Sequence, residues 1–378
     1  MKHDEILAWL REMDAARLQE LWRQADETRR RHVGDAVHLR GLIEFSNRCV
    51  RQCGYCGLRA ENTALPRYCM SADEILDRAG RATELGYGTL VLQSGEDPAL
   101  EPEWLAAVVR RITTTTPLAV TLSVGEWPRD ALALWREAGA DRYLLRFETA
   151  DETLFRRIHP PRSHQTLSRF QILQVLRDLD YEVGSGILIG VPGQTFAELA
   201  RSVELLRELE LDMIGSGPFI PHPHTPLGRP EASPGNENGH GGAGPGVPDQ
   251  ENGHGGAGPC IPDQVPADDL TAYKVLALSR LLRPRANIPA TTALATLDRQ
   301  AGYETGLRRG ANVIMPNLTP PRYRHLYQVY PGKVGMAPED TYYSDIKTRI
   351  EAMGRKVGVG PGSARRTATG PSCARERG

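Results

Sequence analysis

The segment LIEFSNRCVRQCGYC, residues 42–56, joins two signals. It opens as an apolar β-type run, and Cys49, Cys53 and Cys56 then fall within eight residues. The chain has only six cysteines in 378 residues, far too few for a disulfide-stapled scaffold, and a reducing compartment would keep them as thiols. Three together need a separate chemical reason. Soft-metal ligation is the one that thiolates on a short loop supply.

Working outward, the apolar run is the first of eight. Strand-type stretches at 42–46, 89–94, 118–123, 142–148, 182–190, 211–217, 287–292 and 311–317 alternate with helix-type segments. One of these, 71–86, begins at Ser71 with Glu74 three residues on, a capping-box pattern, and another occupies 194–209. Eight strand–helix units with near-continuous apolar strands predict an α/β fold, a (β/α)8 barrel of the triosephosphate-isomerase type. We expect residues 1–37 to form an N-terminal helical segment, 38–333 the barrel, 334–354 a C-terminal helical extension, and 355–378 a tail without order. Within 228–266 the motif ENGHGGAGPGVPDQ is followed at once by ENGHGGAGPCIPDQ, differing only at Gly246/Cys260 and Val247/Ile261. Such Gly/Pro/Asn composition cannot offset the entropy of ordering, so a disordered insertion is expected, and His240 and His254 within it are read as repeat residues rather than metal ligands.

Charge excludes more than it selects. With 46 basic and 47 acidic residues the net charge is -1, which calls for no nucleic-acid or anionic-membrane partner. The N-terminus is a charged amphipathic pattern without a signal-peptide core, and no run approaches a membrane span; the expected location is the cytoplasm.

Three thiolates can serve zinc or an iron–sulfur cluster. Zinc needs a fourth ligand, which Cys69 or a histidine can in principle supply. Position argues against it, because the cysteines follow the first strand at its C-terminal end, where barrel active sites are built. Three cysteines on a four-iron cluster leave one iron open. The C-x3-C-x2-C spacing resembles that of the radical S-adenosylmethionine (SAM) enzymes, in which the open iron of a [4Fe-4S] cluster chelates SAM. That resemblance implies a role near the adenine for Tyr55, and contacts to the SAM ammonium from Gly95 and Glu96 in LQSGEDP (92–98). In LLRFETA (144–150), Arg146 and Glu148 share one strand face, where a charged pair is costly unless it is satisfied or used.

The blocks LIEFSNRC, RYCMSADEI, VLQSGEDP, TLSVGEWP, RYLLRFETA, GSGILIGVPGQT, DMIGSGPFIPHPHTPL, NIPATTALAT, RGANVIMPNLTP and YRHLYQVYPGK, in this order from about residue 38 to 333, together resemble the HydE family, the radical SAM maturases of [FeFe]-hydrogenase. The resemblance implies a full barrel around a long cavity, with Cys49, Cys53 and Cys56 on the cluster and Glu148 and Arg169 on SAM. It places Gln93, Thr121, Arg146 and Met213 on the substrate, with Arg146 suited to an anionic complex. The implied activity is reductive cleavage of SAM to a 5′-deoxyadenosyl radical, which acts on the cysteine sulfur of an iron carbonyl–cyanide complex on the way to the diiron subcluster of the H-cluster. The implied partners are the maturases HydG and HydF and a reductant such as ferredoxin or flavodoxin. Some members of the family carry a second cysteine trio near the C-terminus, but residues 334–350 have no cysteine, so no second cluster is expected. Cys69, Cys260 and Cys373 lack a ligand pattern. His222 and His224 in PFIPHPHTPLG are read as part of a rigid rim, and YRHLYQVYPG (323–332) as a closing segment at the barrel end. The rival readings are methylornithine synthase, biotin synthase, and a non-catalytic iron–sulfur carrier.

Overall fold

The structure is a computed structural model that describes residues 1–162, 167–229, 263–333 and 339–364. Its strands are β1 (Ala36–Ser46), β2 (Thr89–Ser94), β3 (Ala119–Ser123), β4 (Ala140–Leu144), β5 (Glu182–Ser185), β6 (Leu188–Ile189), β7 (Met213–Ile214), β8 (Gly217–Pro218), β9 (Val313–Ile314) and β10 (Lys356–Val357). Ladders run β1-β2-β3-β4-β5-β7, every one parallel, and β1 also pairs with β9. Single parallel bridges, Met213 to Asn287 and Pro289 to Val313, carry the pattern from β7 to β9. The chain is thus an α/β protein built on a curved parallel sheet.

The alternation of side chains along each strand divides the sheet into two faces. Ile43, Phe45, Leu90, Leu92, Val120 and Leu122 enter the apolar core beneath the outer helices. Leu42, Glu44, Val91, Gln93 and Thr121 line an internal cavity of ≈ 240 Å³, together with Arg146, which, like Glu148, lies beyond the end of β4 rather than on a shared strand face as expected. Both faces are covered, which is why β1 reads as an apolar run rather than a half-polar one. The outer helices start where the sequence says they should. Ser71 caps helix Ala72–Glu84 with Glu74 returning the bond, and Thr195 and Glu198 do the same for helix Phe196–Glu208. Helices His3–Arg11 and Ala15–Val33 add Ile6, Leu10, Leu21 and Trp22 to the core, packing against helices Phe196–Glu208 and Asp269–Leu282.

Three expectations need correction. The run at 182–190 is not one strand but β5 and β6, separated by Gly186, where an added Cβ would lie 2.2 Å from the Gly215 carbonyl oxygen. At 287–292 there is no continuous ladder, only the two bridges, and 311–317 shrinks to β9. The tail expected to lack order from residue 355 is structured through 364. Here β10 adds to β1, and Pro361 and Gly362 accept hydrogen bonds from Thr89, Arg142, Arg40 and Asn287 at the N-terminal ends of the strands. Small, basic composition hid a segment whose main-chain carbonyls satisfy buried donors. The repeat, with His240, His254 and Cys260, lies outside the described residues, as does Cys373.

Candidate functional site: a cysteine loop on an ionic cradle

The cysteine loop leaves the C-terminal end of β1 and is pinned from several sides. The amides of Val50, Gly54 and Gly57 donate to the carbonyls of Glu96, Ile158 and Val329 at 2.9, 2.7 and 2.9 Å. Arg67 donates to the carbonyls of Asn47, Leu58, Arg59 and Asn62, so one guanidinium holds both ends of the loop. Gly95 is required by contact: a Cβ there would sit 2.2 Å from the Arg48 carbonyl oxygen and 2.7 Å from the Cys49 Cβ.

The three thiols lie close enough to perturb one another, and burial dominates at each. Burial, then the neighbouring Cys56 and Cys49, pushes the Cys53 thiol well above its ordinary range, and burial followed by Cys49 raises Cys56 to about 12. Burial likewise raises Cys49. Such a trio holds its protons until metal charge displaces them. No group of three or more His, Cys, Asp or Glu side chains among the described residues is gathered tightly enough for a single ion. A four-iron cluster asks each cysteine to reach a different iron, and three thiols on one short, pinned loop are a donor set that fits it. Cys69 is placed elsewhere, bridging Ser46 from the following segment.

Beneath the loop lies a cradle of buried ions. Glu96 meets Arg51 at 2.9 Å and Arg162 at 3.0 Å and accepts the Glu126 amide at 3.0 Å. Glu126 also pairs with Arg51, and Arg169 Nε donates to it at 2.8 Å. Although burial raises the Glu126 pKa, its hydrogen bond to His159 and the charges of Arg169 and Arg51 win, bringing it to about 2. Glu148 takes a left-handed backbone, φ 66°, at the end of the fourth strand position. Its carboxylate receives the Tyr55 hydroxyl at 3.1 Å and pairs with Arg146 at 3.0 Å and Arg169 at 3.7 Å. His159, 2 % exposed, lies between Cys53 and Arg169.

The structure therefore gathers Cys49, Cys53, Cys56, Tyr55, Gly95, Glu96, Glu148 and Arg169 at one end of the sheet. Gln93, Thr121, Arg146 and Met213 all line the internal cavity, which Tyr55 also borders. Three residues of that lining carry buried polar atoms without a hydrogen-bond partner among the described residues: Thr121 Oγ1, Arg40 Nε and Arg146 Nε. One expected role changes. The Glu96 carboxylate is already filled by Arg51, Arg162 and the Glu126 amide, which makes it an anchor of the cradle rather than a free acceptor. His222 is buried and accepts the His224 amide through Nδ1 at 3.1 Å, a rim contact. Arg51, Glu126, His159, Arg40 and the Glu44–Lys333 pair were not singled out from sequence. Glu126 in TLSVGEWP, Glu44 in LIEFSNRC, Lys333 in YRHLYQVYPGK and Arg51 in the cysteine segment had a local signal that could have found them, whereas His159 and Arg40 had none.

Residues 43–206 match the Radical SAM superfamily model. The [FeFe] hydrogenase maturase subunit HydE of Thermotoga maritima is 44 % identical over 347 residues, 92 % of this chain and 89 % of that protein. The chain belongs to the HydE family of radical SAM [FeFe]-hydrogenase maturases. The 3-methylornithine synthase of Methanosarcina acetivorans is 25 % identical, covering 94 % of this chain and 89 % of its own. A methylornithine synthase structure superposes with TM-score 0.74 at 23 % identity, covering 94 % of each chain. HydG from Carboxydothermus hydrogenoformans does so at 0.69 and 16 %, covering 94 % of this chain and 75 % of its own. At such identities the two structures speak for the fold, and the HydE assignment rests on sequence. No helix among the described residues is long and apolar enough to cross a membrane.

Proposed function

We propose that this HydE-family chain binds a [4Fe-4S] cluster on Cys49, Cys53 and Cys56 and uses it on SAM, within a full (β/α)8 barrel in the cytoplasm. The bound pair supplies one-electron cleavage of SAM to a 5′-deoxyadenosyl radical. The substrate is the cysteine-bearing iron carbonyl–cyanide complex, with attack at its sulfur, en route to the diiron subcluster.

The observation that carries this reading is the continuity between the cysteine loop and the cavity through Tyr55. Tyr55 lies between Cys53 and Cys56 in the chain, bonds Glu148, and borders the same cavity as Gln93, Thr121, Arg146 and Met213. A substrate bound in that cavity would be within reach of the loop without crossing bulk water. Glu148 and Arg169 bind and orient SAM, one an acceptor for neutral or cationic donors, the other a fixed cation for a carboxylate. Arg146, 31 % exposed on its side chain and with an unfilled Nε, holds anionic ligands of the complex, and Thr121 offers a hydroxyl that nothing else in the described chain uses. HydG as supplier, HydF as acceptor and a ferredoxin or flavodoxin as reductant complete the reading.

The test is anaerobic reconstitution with iron and sulfide, then dithionite and SAM. We expect 5′-deoxyadenosine and a cluster EPR signal perturbed by SAM, both abolished in Cys53→Ala. A Cys53→Ala chain with full turnover, or a wild-type chain that never cleaves SAM, would sink the proposal. Lysine in place of the iron complex separates this activity from methylornithine synthesis, and we expect no rearranged product.

A further inference from the structure

His159 follows helix Glu152–Ile158, on an element that contributes none of the cysteines, yet its Nδ1 lies 3.0 Å from the Cys53 sulfur. The ring is held on every side. Phe155 stacks on it at 5.0 Å between ring centres, Arg169 Nη2 approaches Nε2 at 3.0 Å, and Glu126 Oε1 stands 3.3 Å from the same nitrogen. Cys53 decides where a ring proton must sit once iron is bound. Arg169 Nη2 stands within reach of both ring nitrogens, 3.0 Å from Nε2 and 3.4 Å from Nδ1, and the Glu126 carboxylate only accepts, so these two neighbours do not choose between the tautomers. A cluster-bound Cys53 is a thiolate that only accepts, so the nitrogen 3.0 Å from it must carry a hydrogen, as Nδ1 does in the Nδ1–H neutral ring. In the doubly protonated ring Nδ1 carries a hydrogen as well. The remaining tautomer needs Cys53 to keep its S–H, which iron ligation removes.

We propose that His159 is a positioning residue of the cluster, donating an Nδ1–H hydrogen bond to the Cys53 thiolate and thereby raising the cluster's reduction potential. The inference rests on the cluster reading above and goes beyond it. Reduction adds one negative charge to the cluster, and a donor aimed at a ligand sulfur stabilises the reduced form more than the oxidised one. Arg169 then has two contacts in one site: it meets the His159 ring and it faces Glu148. The arrangement ties the ease of electron entry to the residue pair assigned to SAM.

The experiment compares anaerobically reconstituted wild type, His159→Leu and His159→Gln at equal iron and sulfide content, by EPR-monitored redox titration without substrate. We expect His159→Leu to lower the reduced-to-oxidised ratio at fixed poise about tenfold, about 59 mV for a one-electron couple. His159→Gln keeps an N–H donor and should recover most of that shift. An unchanged potential in a fully loaded His159→Leu, or a His159→Gln that falls as far as the leucine variant, overturns the proposal. A measurement on the wild type stands independently of how the variants fold. With 15N-histidine, pulsed EPR of the reduced cluster should show a weak 15N coupling, and its absence equally overturns the assignment. A wild-type chain that assembles no four-iron cluster would instead bring down the radical SAM reading, and iron analysis tells the two failures apart.

Discussion

The two ends of the sheet both bury arginines, and they neutralise them differently. At the C-terminal end Arg51 and Arg169 meet the carboxylates of Glu96, Glu126 and Glu148. At the N-terminal end the partners are mostly neutral. Arg280 donates to the carbonyls of Gly310, Pro284 and Ala286 and to the Asn312 side chain, Arg355 to those of Leu307 and Ala311, and Arg40 to Gly362 and the Met213 sulfur. Among the described residues, Arg142, on Glu182 at 2.8 Å, and Arg29, on Asp26 at 2.8 Å and Asp35 at 3.0 Å, have carboxylates there. Burial accordingly pulls Arg40 and Arg280 down to about 9 and Arg355 to about 10, whereas nearby Tyr55, Glu126 and Glu148 outweigh burial and lift Arg169 above its usual value. The difference separates two uses of one side chain. Paired with carboxylates, arginine builds a field in which cluster and SAM chemistry can run; set among carbonyls, it is a multidentate plug that seals the far end.

Removing the shared cation should break the first arrangement most severely. Arg169→Met strips Glu126 and Glu148 of one counter-charge while both stay buried, a loss on the order of 3–5 kcal/mol. Urea unfolding should show that loss, together with abolished 5′-deoxyadenosine formation; a variant of wild-type stability would mean that the cradle is not held by its ion pairs. At the far end, ending the chain at Gly358 removes the acceptors at Pro361 and Gly362 and the Ser363 hydroxyl that meet Arg40, Arg142, Thr89 and Asn287. We expect about 2–3 kcal/mol lower stability, since bonds to charged donors are worth more than neutral ones, with cluster iron content unchanged. Iron loss in that truncation would mean the two ends are not separable.

How far the sequence could be read follows the same division. The strand positions β2 and β3, the end of β1 and the overlap at β4 (expected at 142–148, found at Ala140–Leu144), the capping boxes at Ser71 and Thr195, and the cysteine spacing are local patterns, legible because period and spacing are set by neighbours in the chain. The cavity residues Gln93, Thr121, Arg146 and Met213 were named from likeness, and each lines the cavity. What escaped was non-local. His159 reaches Cys53 across 106 positions, and Glu126 meets Arg169 across 43, with no periodicity to announce either contact. The ordered stretch at 355–364 escaped because its contribution is made by main-chain carbonyls, which every residue type carries. The short strands past residue 186 escaped because glycine and proline mark bends without saying how little ladder remains.

The acid limb of stability sharpens the comparison further. Glu126 sits at about 2, below its ordinary 4.5, so its contribution is complete above pH 4.5 and is lost as pH falls towards 2. Glu126→Gln should flatten that limb, with a loss of order 2 kcal/mol at neutral pH. If the acid limb keeps its slope in this variant, the charge on Glu126 is not what the cradle depends on.

The smallest effect is expected where the guanidinium has no carboxylate in contact. Arg40 is 4 % exposed and held by one carbonyl and one sulfur, with its Nε unfilled among the described residues. Desolvation, followed by the like charge of Arg142, is what lowers its pKa, so folding carries a cost for keeping this group charged. Arg40→Met gives up two hydrogen bonds and removes that cost, and an unbranched side chain of similar reach refills the space. The net change should stay within about 1 kcal/mol, far from that of Arg169→Met, although both variants delete one buried guanidinium. Urea unfolding of the two side by side measures the contrast. Equal losses would mean that burial, and not the choice of partner, governs the energetics of arginine in this protein.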